Sequence, residues 1–494
     1  MTFGAQTSTL GNSLREILSM AFNSLLFPPF FVLVYAAYIA LRRSVRLQNC
    51  LLLVASYVFY GAWDWRFLGL LGGSTVGNYA IGLLLGRERS QLRRRAIMSC
   101  GIAFNLVLIG VFKYFNFFAS NLVALAALSG WHVDYAAANI ILPVGISFYT
   151  FQAISYIVDV YRGDIPVAKN FIDFALFKSF FPQLVAGPIE RAKHLLPQIV
   201  RQREITFDDL ANGAWLILYG YFLKLYVADN LGPMADSVFT ASHPQSGAEA
   251  LIGVYAFAFQ ILGDFAGYTN IAIGIAQLMG FHLTINFLHP YLVTNPRDFW
   301  RNWNISLSKW LRDYVYIPLG GSRGTPSQTY RNLMLTMLLG GLWHGAAWTF
   351  VLWGGYQGAL LVLHRLANRY LERLTMPLRL APAWWMVRVV AMFHLTCLGW
   401  LIFRARSLAQ IGDMLTAIAT NFSFSPAVGD AALQLLFYTW PIAIVSILQM
   451  RAREPATGLF MLRPPARFAV VLATYLLLVG WGQFGTRQFI YFQF

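Results

Sequence analysis

Apolar stretches of about 20 residues, separated by short and mostly basic loops, recur along almost the whole 494-residue chain. One such stretch is enough for a helix that crosses the ~30 Å hydrocarbon layer of a bilayer. Only 12% of the residues are charged, about half of the ~25% found in soluble domains, so too few charges exist to cover a soluble surface. The pattern excludes a soluble enzyme and a disordered chain, and it predicts an all-α protein that crosses a membrane several times.

Hydropathy predicts ten membrane spans, at approximately 21–41, 47–63, 67–86, 97–118, 139–160, 209–228, 250–280, 388–404, 434–450 and 467–483. Two further apolar stretches, 171–188 and 333–363, are interrupted by glycine and by polar residues. Each half of 333–363 is predicted to be too short or too interrupted to cross the membrane alone. Non-helical backbone at membrane depth needs protein or water around it. We therefore expect both stretches to be re-entrant or broken hairpins that line a cavity, and whether 333–363 spans or re-enters is left open.

Loop charges predict the orientation in the membrane. The arginine-rich loops are 42–46 and 87–95, and the loops without Lys or Arg are 119–137 and 229–249. Because basic loops stay in the cytoplasm, both termini are predicted to be periplasmic. The net charge of +16 then reflects topology, and nucleic-acid binding is not expected. Arg404 and Arg406 fit poorly, because they flank a loop that this scheme places outside.

Among eight histidines, His344 has the most unusual setting, within the sequence GGLWHGAAW at 340–348. Small residues on both sides allow close helix approach or a break in the helix, and Trp343 and Trp348 could form walls around the imidazole. An ionisable group among membrane spans is a functional candidate, and imidazole suits a general base near neutral pH. The alternative is a histidine that is hydrogen-bonded between helices.

The segment PRDFWRNWNISLSKWLRDYVYIPLGG at 296–321 is rich in Trp and Arg. Trp300, Trp303 and Trp310 recur near helical spacing, which favours an amphipathic helix anchored at the membrane surface. The alternative is a cytoplasmic mouth that binds an anionic, phosphate-bearing donor. The residues that would contact such a donor are Arg297, Arg301, Arg312, Arg323 and Trp303.

Three other features are less informative by themselves. Proline and glycine in FPQLVAGPIE at 181–190 predict a re-entrant turn. Asp264 interrupts an apolar run, and an intramembrane Asp faces a partner or a cavity. Asp264 could pair with another side chain in a structural role, or it could orient His344. The structural role is the favoured prediction. The final residues, FIYFQF at 489–494, are typical of an aromatic belt.

Five long sequences together resemble the membrane-bound O-acyltransferase (MBOAT) family, most closely its alginate O-acetyltransferase branch. They are LPVGISFYTFQAISYIVDVYRG at 142–163, FPQLVAGPIERAKHLLPQI at 181–199, DFAGYTNIAIGIAQLMGF at 264–281, PRDFWRNWNISLSKWLRDYVYIPLGGSRG at 296–324 and LLGGLWHGAAWTFVLWGGYQG at 338–358. The resemblance implies one domain over 1–494 with its motif core at about 142–358. It also implies a ring of about 10–12 membrane helices with re-entrant segments and with cytoplasmic and periplasmic funnels.

The resemblance also implies residue roles. The histidine of the LWHG motif is catalytic in the family, and His344 inherits that role. Relatives often carry a second histidine where this chain has Asn304, which cannot act as a base near pH 7. The FIYxxF tail at 489–494 resembles an acyl-relay tail in which a tyrosine accepts the acyl group, and Tyr491 would be that tyrosine. A phenol needs a base to become nucleophilic at pH 7, and His344 could supply it.

The function implied is O-acetylation of an exported, alginate-type polysaccharide by a multi-pass protein of the bacterial inner membrane. Acetyl-CoA is the expected cytoplasmic donor, and a periplasmic acetyltransferase partner is expected to modify the polymer. Cellulose, peptidoglycan or teichoic acid as acceptors, or a non-enzymatic export subunit, are the alternatives. No tightly bound cofactor is expected, and Cys50, Cys100 and Cys397 show no CxxC spacing that would suggest a zinc site or a disulfide framework.

Overall fold

The computed structural model describes residues 20–490 apart from 132–135, 139, 186, 242–245, 372–378, 452–458, 486 and 488. Within these residues all regular secondary structure is helical, which confirms the predicted all-α class. The chain divides into two compact units. The first contains Met1–Ile217, Tyr268–Thr284 and Phe484–Gln488, and the second contains Leu218–Gly267, Ile285–Gln483 and Phe489–Phe494.

The first unit is built from helices of very different lengths around a core of aromatic and aliphatic side chains that includes Tyr60, Leu71 and Tyr149. Its helices are Phe27–Ala40, Val45–Asp64, Arg66–Arg87, Gln91–Ile109, Phe115–Leu128, Ile146–Arg162, Phe171–Ser179, Phe181–Leu184 and Ala192–Val200, with a π-helical turn at Gly110–Tyr114. Helix Phe207–Tyr221 begins in this unit. In helix Ile146–Arg162, all residues from 146 to 160 are buried.

The second unit carries the remaining helical segments. They are the π-helical turn Phe222–Ala228, Asp229–Thr240, most of Gly247–Leu278, Pro296–Asn302, Ile305–Leu311, the π-helical turn Arg312–Tyr316, Pro326–His344, Trp348–Leu371, Ala381–Arg404, Leu408–Thr420, Pro426–Arg451 and Pro464–Trp481.

Six helices of the described chain are long and apolar enough to cross a membrane: Arg66–Arg87, Gln91–Leu128, Gly247–Leu278, Ala381–Arg404, Pro426–Met450 and Pro464–Trp481. Each coincides with a predicted span. The other four predicted spans correspond to helices that are shorter or more polar. The first is the 14-residue helix Phe27–Ala40, and the second is Val45–Asp64, which buries Gln48 and Asn49.

The prediction of a helix over 139–160 is wrong at its amino-terminal end, because helix Ile146–Arg162 begins later. Pro143 disfavours helical backbone at the residue before it. Gly145 adopts a positive φ of 74°, which glycine tolerates best. A side chain at Gly145 would also meet the carbonyl oxygen of Leu184, so close backbone approach requires glycine here.

The predicted loops 119–137 and 229–249 are also shorter than expected. Helix Phe115–Leu128 covers the first half of one, and helix Asp229–Thr240 covers much of the other. Asp229, within the predicted loop 229–249, is neutralised by an ion pair with Lys224, whose Nζ lies 2.9 Å from its Oδ1. A paired charge can stay within a helix where an isolated one would be costly.

The stretch 171–188 is broken, as predicted. Helix Phe171–Ser179 ends at Phe180, whose backbone is not helical, and a four-residue helix, Phe181–Leu184, follows. Pro182 has no N–H to continue the first helix. Within this stretch Lys178 is fully buried and donates to Ser74 Oγ at 2.5 Å.

The stretch 333–363 forms parts of two helices, Pro326–His344 and Trp348–Leu371, which pack against each other. The break between them is confirmed. The helices have 19 and 24 residues, yet neither is among the six described helices that are long and apolar enough to cross a membrane. Gly341 and Gly354 allow the close contact: a side chain on either would collide with the backbone of the other helix. Small residues of this kind are typical of tight helix pairs in membranes.

Candidate active site

His344 is the last residue of its helix. Thr325 and Gln328 form a capping box at the start of the helix Pro326–His344, and Gly345 ends it with extended backbone, φ −164° and ψ 156°. A side chain at Gly345 would collide with the ring of Phe350. The glycine therefore lets the chain turn back immediately after His344 and places the imidazole at the point where the helix pair breaks.

Aromatic rings surround the imidazole of His344. The centroids of the Trp343, Trp353 and Phe403 rings lie 4.9, 5.0 and 5.3 Å from its own, all in edge-to-face orientation. Trp343 is one of the two predicted walls. Trp348, the other, is 57% exposed, and its role as a wall stays a prediction. We call Trp343, Trp353 and Phe403 the aromatic cage.

The imidazole is nearly inaccessible in this structure, because His344 is only 3% exposed. The family resemblance implies cytoplasmic and periplasmic funnels, and the described residues give no support for an opening from either funnel to the imidazole. The indole N–H of Trp353 is fully buried and has no acceptor within the described chain. A buried donor without an acceptor is uncommon in proteins, so the cage contains a polar atom that a substrate could satisfy.

A cavity of about 760 Å³ lies in the second unit and includes Leu333, Thr336 and Met337 in its lining. Met337 precedes His344 by seven residues, about two helical turns or roughly 10 Å along the axis. Basic residues dominate the polar part of the lining, and no acidic residue is part of it. The ionisable residues that line the cavity are Arg297, Arg301, Lys309, Arg312, His364 and Arg365.

Two of these cations have carboxylate partners. Arg301 lies 3.3 Å from Asp298. Arg312 lies 2.6 Å from Asp313, and this hydrogen bond raises the pKa of its guanidinium. Of the other four, the Lys and Arg residues Arg297, Lys309 and Arg365 form no ion pair with a described residue. Unpaired cations in a concave site favour binding of an anion. Three predicted donor contacts, Arg297, Arg301 and Arg312, thus share one cavity, whereas Arg323 is not part of its lining.

The segment 296–321 is not one amphipathic surface helix. It breaks into Pro296–Asn302 and Ile305–Leu311, and Trp303 and Trp310 are buried in protein. The Trp303 ring lies 4.7 Å from that of Trp400. The favoured prediction of tryptophans that anchor the chain at the membrane surface is therefore wrong for both residues. Trp303 does not line the cavity either, so its expected contact with a donor is not part of this structure.

Asn304 lies at this break in an unusual conformation. Its φ of 41° makes it the one non-glycine residue of the described chain with a positive φ, a conformation that Asn tolerates better than most residues. Its side chain is buried, and both amide atoms lack a partner among the described residues. A strained backbone that carries an unsatisfied buried amide is typical of functional sites.

Asn286 holds this break in place. Its carbonyl oxygen accepts from the Ile305 N–H at 2.9 Å. Its side-chain Oδ1 accepts from the backbone N–H of Ser306 at 3.0 Å and from the Ser306 hydroxyl at 2.9 Å. The hydrogen bonds of Asn286 to Ile305 and Ser306 thus fix the backbone next to Asn304. The side-chain amide of Asn304 takes no part in holding this conformation within the described chain.

Asp264 belongs to a buried ion triad rather than to a pair with His344. Lys224 Nζ lies 2.6 Å from Asp264 Oδ1 and 2.9 Å from Asp229 Oδ1, and all three side chains are at most 5% exposed. This confirms the favoured structural role of Asp264. Arg404, which fitted the predicted orientation poorly, is likewise paired, with its Nη2 2.8 Å from Asp236 Oδ1. The ion pair offsets the positive charge next to a loop that is predicted to lie outside.

The tail is described only as far as Ile490. Phe489 and Ile490 are buried rather than exposed as belt residues, and Tyr491 lies outside the described residues, so its predicted relay role stays a prediction. No group of three or more His, Cys, Asp or Glu that could hold a metal ion occurs in the described part of the chain.

Comparison with known proteins identifies the family. The MBOAT, membrane-bound O-acyltransferase family, model matches residues 165–403. The chain is 44% identical to the probable alginate O-acetylase AlgI of Azotobacter vinelandii, over 90% of this chain and 81% of that protein. The chain belongs to the membrane-bound O-acyltransferase family. It is therefore a multi-pass membrane protein and an O-acyltransferase.

Two further relatives are similar to this O-acyltransferase over most of its length. The probable alginate O-acetylase AlgI of Pseudomonas aeruginosa is 40% identical over 95% of this chain and 82% of its own length. The peptidoglycan O-acetyltransferase of Helicobacter pylori is 35% identical over 80% of this chain and 79% of its own length.

Several residues around the O-acyltransferase site were not predicted from the sequence. Trp353 and Phe403 of the cage come from two other helices, and Lys309 and Arg365 complete the basic lining of the cavity. Lys309 could have been found from the sequence, since it is a basic residue of the segment 296–321, for which a donor-binding cytoplasmic mouth was the alternative interpretation. Trp353 and Phe403 could not have been singled out from the sequence, because Trp and Phe are abundant in membrane spans.

Proposed function

We propose that this O-acyltransferase takes an acetyl group from acetyl-CoA on the cytoplasmic side of the inner membrane and passes it to an exported polysaccharide on the periplasmic side. The observation that carries the proposal is the position of His344, at a helix break within the aromatic cage, on the same helix that lines the basic cavity. An alginate-type polymer is the proposed acceptor, since the AlgI relatives bear that name.

The basic cavity is the proposed donor site. Coenzyme A carries a 3′-phosphate and a diphosphate, and Arg binds such groups through paired N–H donors. Arg297, Lys309 and Arg365 are cations without carboxylate partners in the described chain, so three charges are available for three phosphates. The approximate volume of 760 Å³ lies within the range of cofactor sites, ~300–1,000 Å³.

In the proposed reaction, His344 removes the proton of the Tyr491 hydroxyl. The phenolate oxygen then attacks the thioester carbonyl, a C–O bond forms, the C–S bond breaks, and the proton passes from His344 to the leaving thiolate. Asn304 donates its amide N–H to the carbonyl oxygen as negative charge develops there. Because His344 is buried, side chains of the cage must move before the thioester reaches it.

A periplasmic partner completes the proposed transfer. The relatives include proteins named for alginate and for peptidoglycan, although both are similar in sequence to this chain. We therefore assign delivery of acetyl to this chain and choice of the acceptor polymer to a periplasmic acetyltransferase that takes acetyl from the tail. Both termini are placed on the periplasmic side in this proposal, supported by the arginine-rich loops at 42–46 and 87–95.

Covalent capture tests the proposal directly. The protein in lipid nanodiscs is incubated with [¹⁴C]acetyl-CoA, denatured and separated from free label. We expect label to stay bound to the chain through an ester that hydroxylamine cleaves. Label that is released entirely on denaturation would contradict acetyl chemistry and favour a transport subunit.

Charge removal in the cavity is expected to weaken donor binding. The double variant Arg297→Gln/Arg365→Gln should raise the KM for acetyl-CoA at least tenfold with little change in kcat, because a hydrogen bond to a charged group contributes about 1.5–3 kcal/mol. Arg323→Gln is the matched control, since Arg323 lies outside the cavity lining. Steady-state kinetics at fixed salt check this, and an unchanged KM in the double variant would remove the cavity from the mechanism.

Loss of the Asn304 amide is expected to slow chemistry. Asn304→Gly keeps the backbone freedom that a φ of 41° requires while it removes the donor. We expect kcat to fall about 100-fold, the lower end of what one oxyanion donor contributes, at an unchanged KM. Asn304→His, the residue often found in relatives, should keep most of the activity. Full activity of the glycine variant would show that the amide has no catalytic role.

A further inference from the structure

The carboxyl-terminal tail is tied to the core of the second unit next to the buried ion triad of Lys224, Asp229 and Asp264. The backbone N–H of Ile490 donates to Asp264 Oδ2 at 2.5 Å, while the other oxygen of that carboxylate faces Lys224. Phe489 and Ile490 are 0% and 2% exposed. These two residues, the last that the structure describes, are therefore inserted into the protein at this carboxylate.

The triad is a site built by close helix approach. Side chains at Gly263 and Gly267 would lie 2.8 Å from the carbonyl oxygens of Leu223 and Gly220, respectively. Only small residues at these positions let helix Gly247–Leu278 come close enough for Asp264 to reach Lys224. Lys224 itself lies in the π-helical turn Phe222–Ala228, and such turns are frequent at functional sites.

Charge explains why a backbone N–H is suited to this position. The triad contains two carboxylates and one ammonium group, and buried carboxylates need hydrogen-bond donors on their remaining lone pairs. A hydrogen bond from a neutral N–H to a carboxylate is about twice as strong as one between neutral groups. The amide of Ile490 supplies such a donor, so the tail and the triad stabilise each other.

The chain that leads into the tail is held at the same region. Gln483 donates its N–H to the Leu225 carbonyl at 3.0 Å, and Asn230 Nδ2 donates to the Trp481 carbonyl at 2.8 Å. Leu225 and Asn230 each follow a member of the triad by one residue. Two separate parts of the C-terminal segment are thus fixed to the residues around Lys224 and Asp229.

We propose that Asp264, held by Lys224, is the docking residue of the C-terminal tail and positions Tyr491 for acetyl transfer. Tyr491 directly follows Ile490, so a fixed Ile490 amide limits the volume that the phenol can reach. Asp264 is then a positioning residue that acts through the backbone. This inference rests on the proposed relay role of Tyr491, but the docking itself can be measured without any acetyl chemistry.

Two variants act on the docking bond from opposite sides, the first by weakening its acceptor and the second by removing its donor. Asp264→Asn removes the charge of the acceptor, and Ile490→Pro removes the N–H donor while it leaves the triad intact. Ile490→Val keeps the N–H and is the control for the side chain. Asp236→Asn, which breaks a different ion pair in the same unit, is the control for loss of a carboxylate. If Asp264→Asn fails to fold, Ile490→Pro carries the test.

Tail accessibility is measured by cysteine labelling. The parent for this test has Cys50, Cys100 and Cys397 replaced by alanine and must retain acetyl transfer. Gln493→Cys is introduced into this parent as the only cysteine. The rate at which a polar maleimide modifies it is measured. We expect at least a tenfold faster rate with Asp264→Asn and with Ile490→Pro, and the parent rate with both controls. The parent rate in both docking variants would overturn the proposal.

Acetyl transfer to Tyr491 from [¹⁴C]acetyl-CoA is followed in the same variants, and we expect at least a tenfold loss. A tail that is released while transfer stays normal would overturn the positioning role. Failure of the relay itself is distinguished by Tyr491→Phe: if that variant still acetylates polymer, the relay is wrong, whereas the labelling rates still report whether the tail docks at Asp264.

Discussion

Replacement of His344 by glutamine is expected to lower the rate of acetyl transfer about a thousandfold. General-base catalysis contributes roughly 10²–10⁴ to a rate, and glutamine keeps much of the size and polarity of the imidazole but cannot take a proton. The imidazole is enclosed by Trp343, Trp353 and Phe403, so few other groups can replace it. The measurement is single-turnover transfer from [¹⁴C]acetyl-CoA, which separates chemistry from donor binding.

His394→Gln is the matched control for this prediction. His394 is an exposed histidine of the same unit and is hydrogen-bonded to Tyr255 at 2.8 Å. We expect this variant to transfer acetyl at the normal rate and His344→Gln to elute from a sizing column like the parent. A normal transfer rate in His344→Gln would remove the imidazole from the reaction.

Tyr491→Phe is expected to abolish polymer acetylation. The substitution removes a single oxygen, which in the proposed relay is the atom that carries the acetyl group, and phenylalanine offers no other nucleophile. Release of free acetate at a low rate is still expected, because the donor site and His344 are unchanged. The ester-linked acetate of the exported polymer is the quantity to measure.

Tyr475→Phe provides the comparison for the relay. Tyr475 is a half-exposed residue of the last helix, Pro464–Trp481, and its loss should leave polymer acetylation unchanged. Normal acetate content with Tyr491→Phe would show that acetyl reaches the polymer by a route that does not use the tail hydroxyl.

Local features of this fold could be predicted from the sequence. The break at His344 was predicted because a glycine follows the histidine, and the break within 171–188 because Pro182 has no N–H to donate. Six spans were found because long apolar runs have few alternatives to membrane helices. These predictions depend only on residues that are close in the chain.

Features that depend on distant contacts were missed. Trp303 was assigned to the membrane surface because 296–321 has the spacing of an amphipathic helix, but Asn304 breaks that helix and Asn286, 18 residues earlier, holds the break. The triad was missed for the same reason: Lys224 and Asp264 are 40 residues apart in the sequence. Their contact requires Gly263 and Gly267, and the sequence does not indicate which helix these glycines will pack against.

The role of a glycine is also hard to predict from the sequence. Gly341 was interpreted as one of the residues that interrupt the stretch 333–363, yet it lies inside the helix Pro326–His344 and serves close packing with Gly354. Glycine is compatible with a break, a turn or close approach, and the sequence alone does not distinguish them.

A double-label experiment tests the central claim most directly, namely that an acetyl group crosses the membrane at His344 while its carrier stays behind. Right-side-out vesicles are loaded with acetyl-CoA that carries ¹⁴C in the acetyl group and ³H in the adenine, and mannuronate oligosaccharide with a periplasmic fraction is added outside. We predict that ¹⁴C appears as ester on the external oligosaccharide, that ³H stays inside, and that His344→Gln abolishes the transfer. Exit of both labels together, or equal transfer by His344→Gln, would contradict the account.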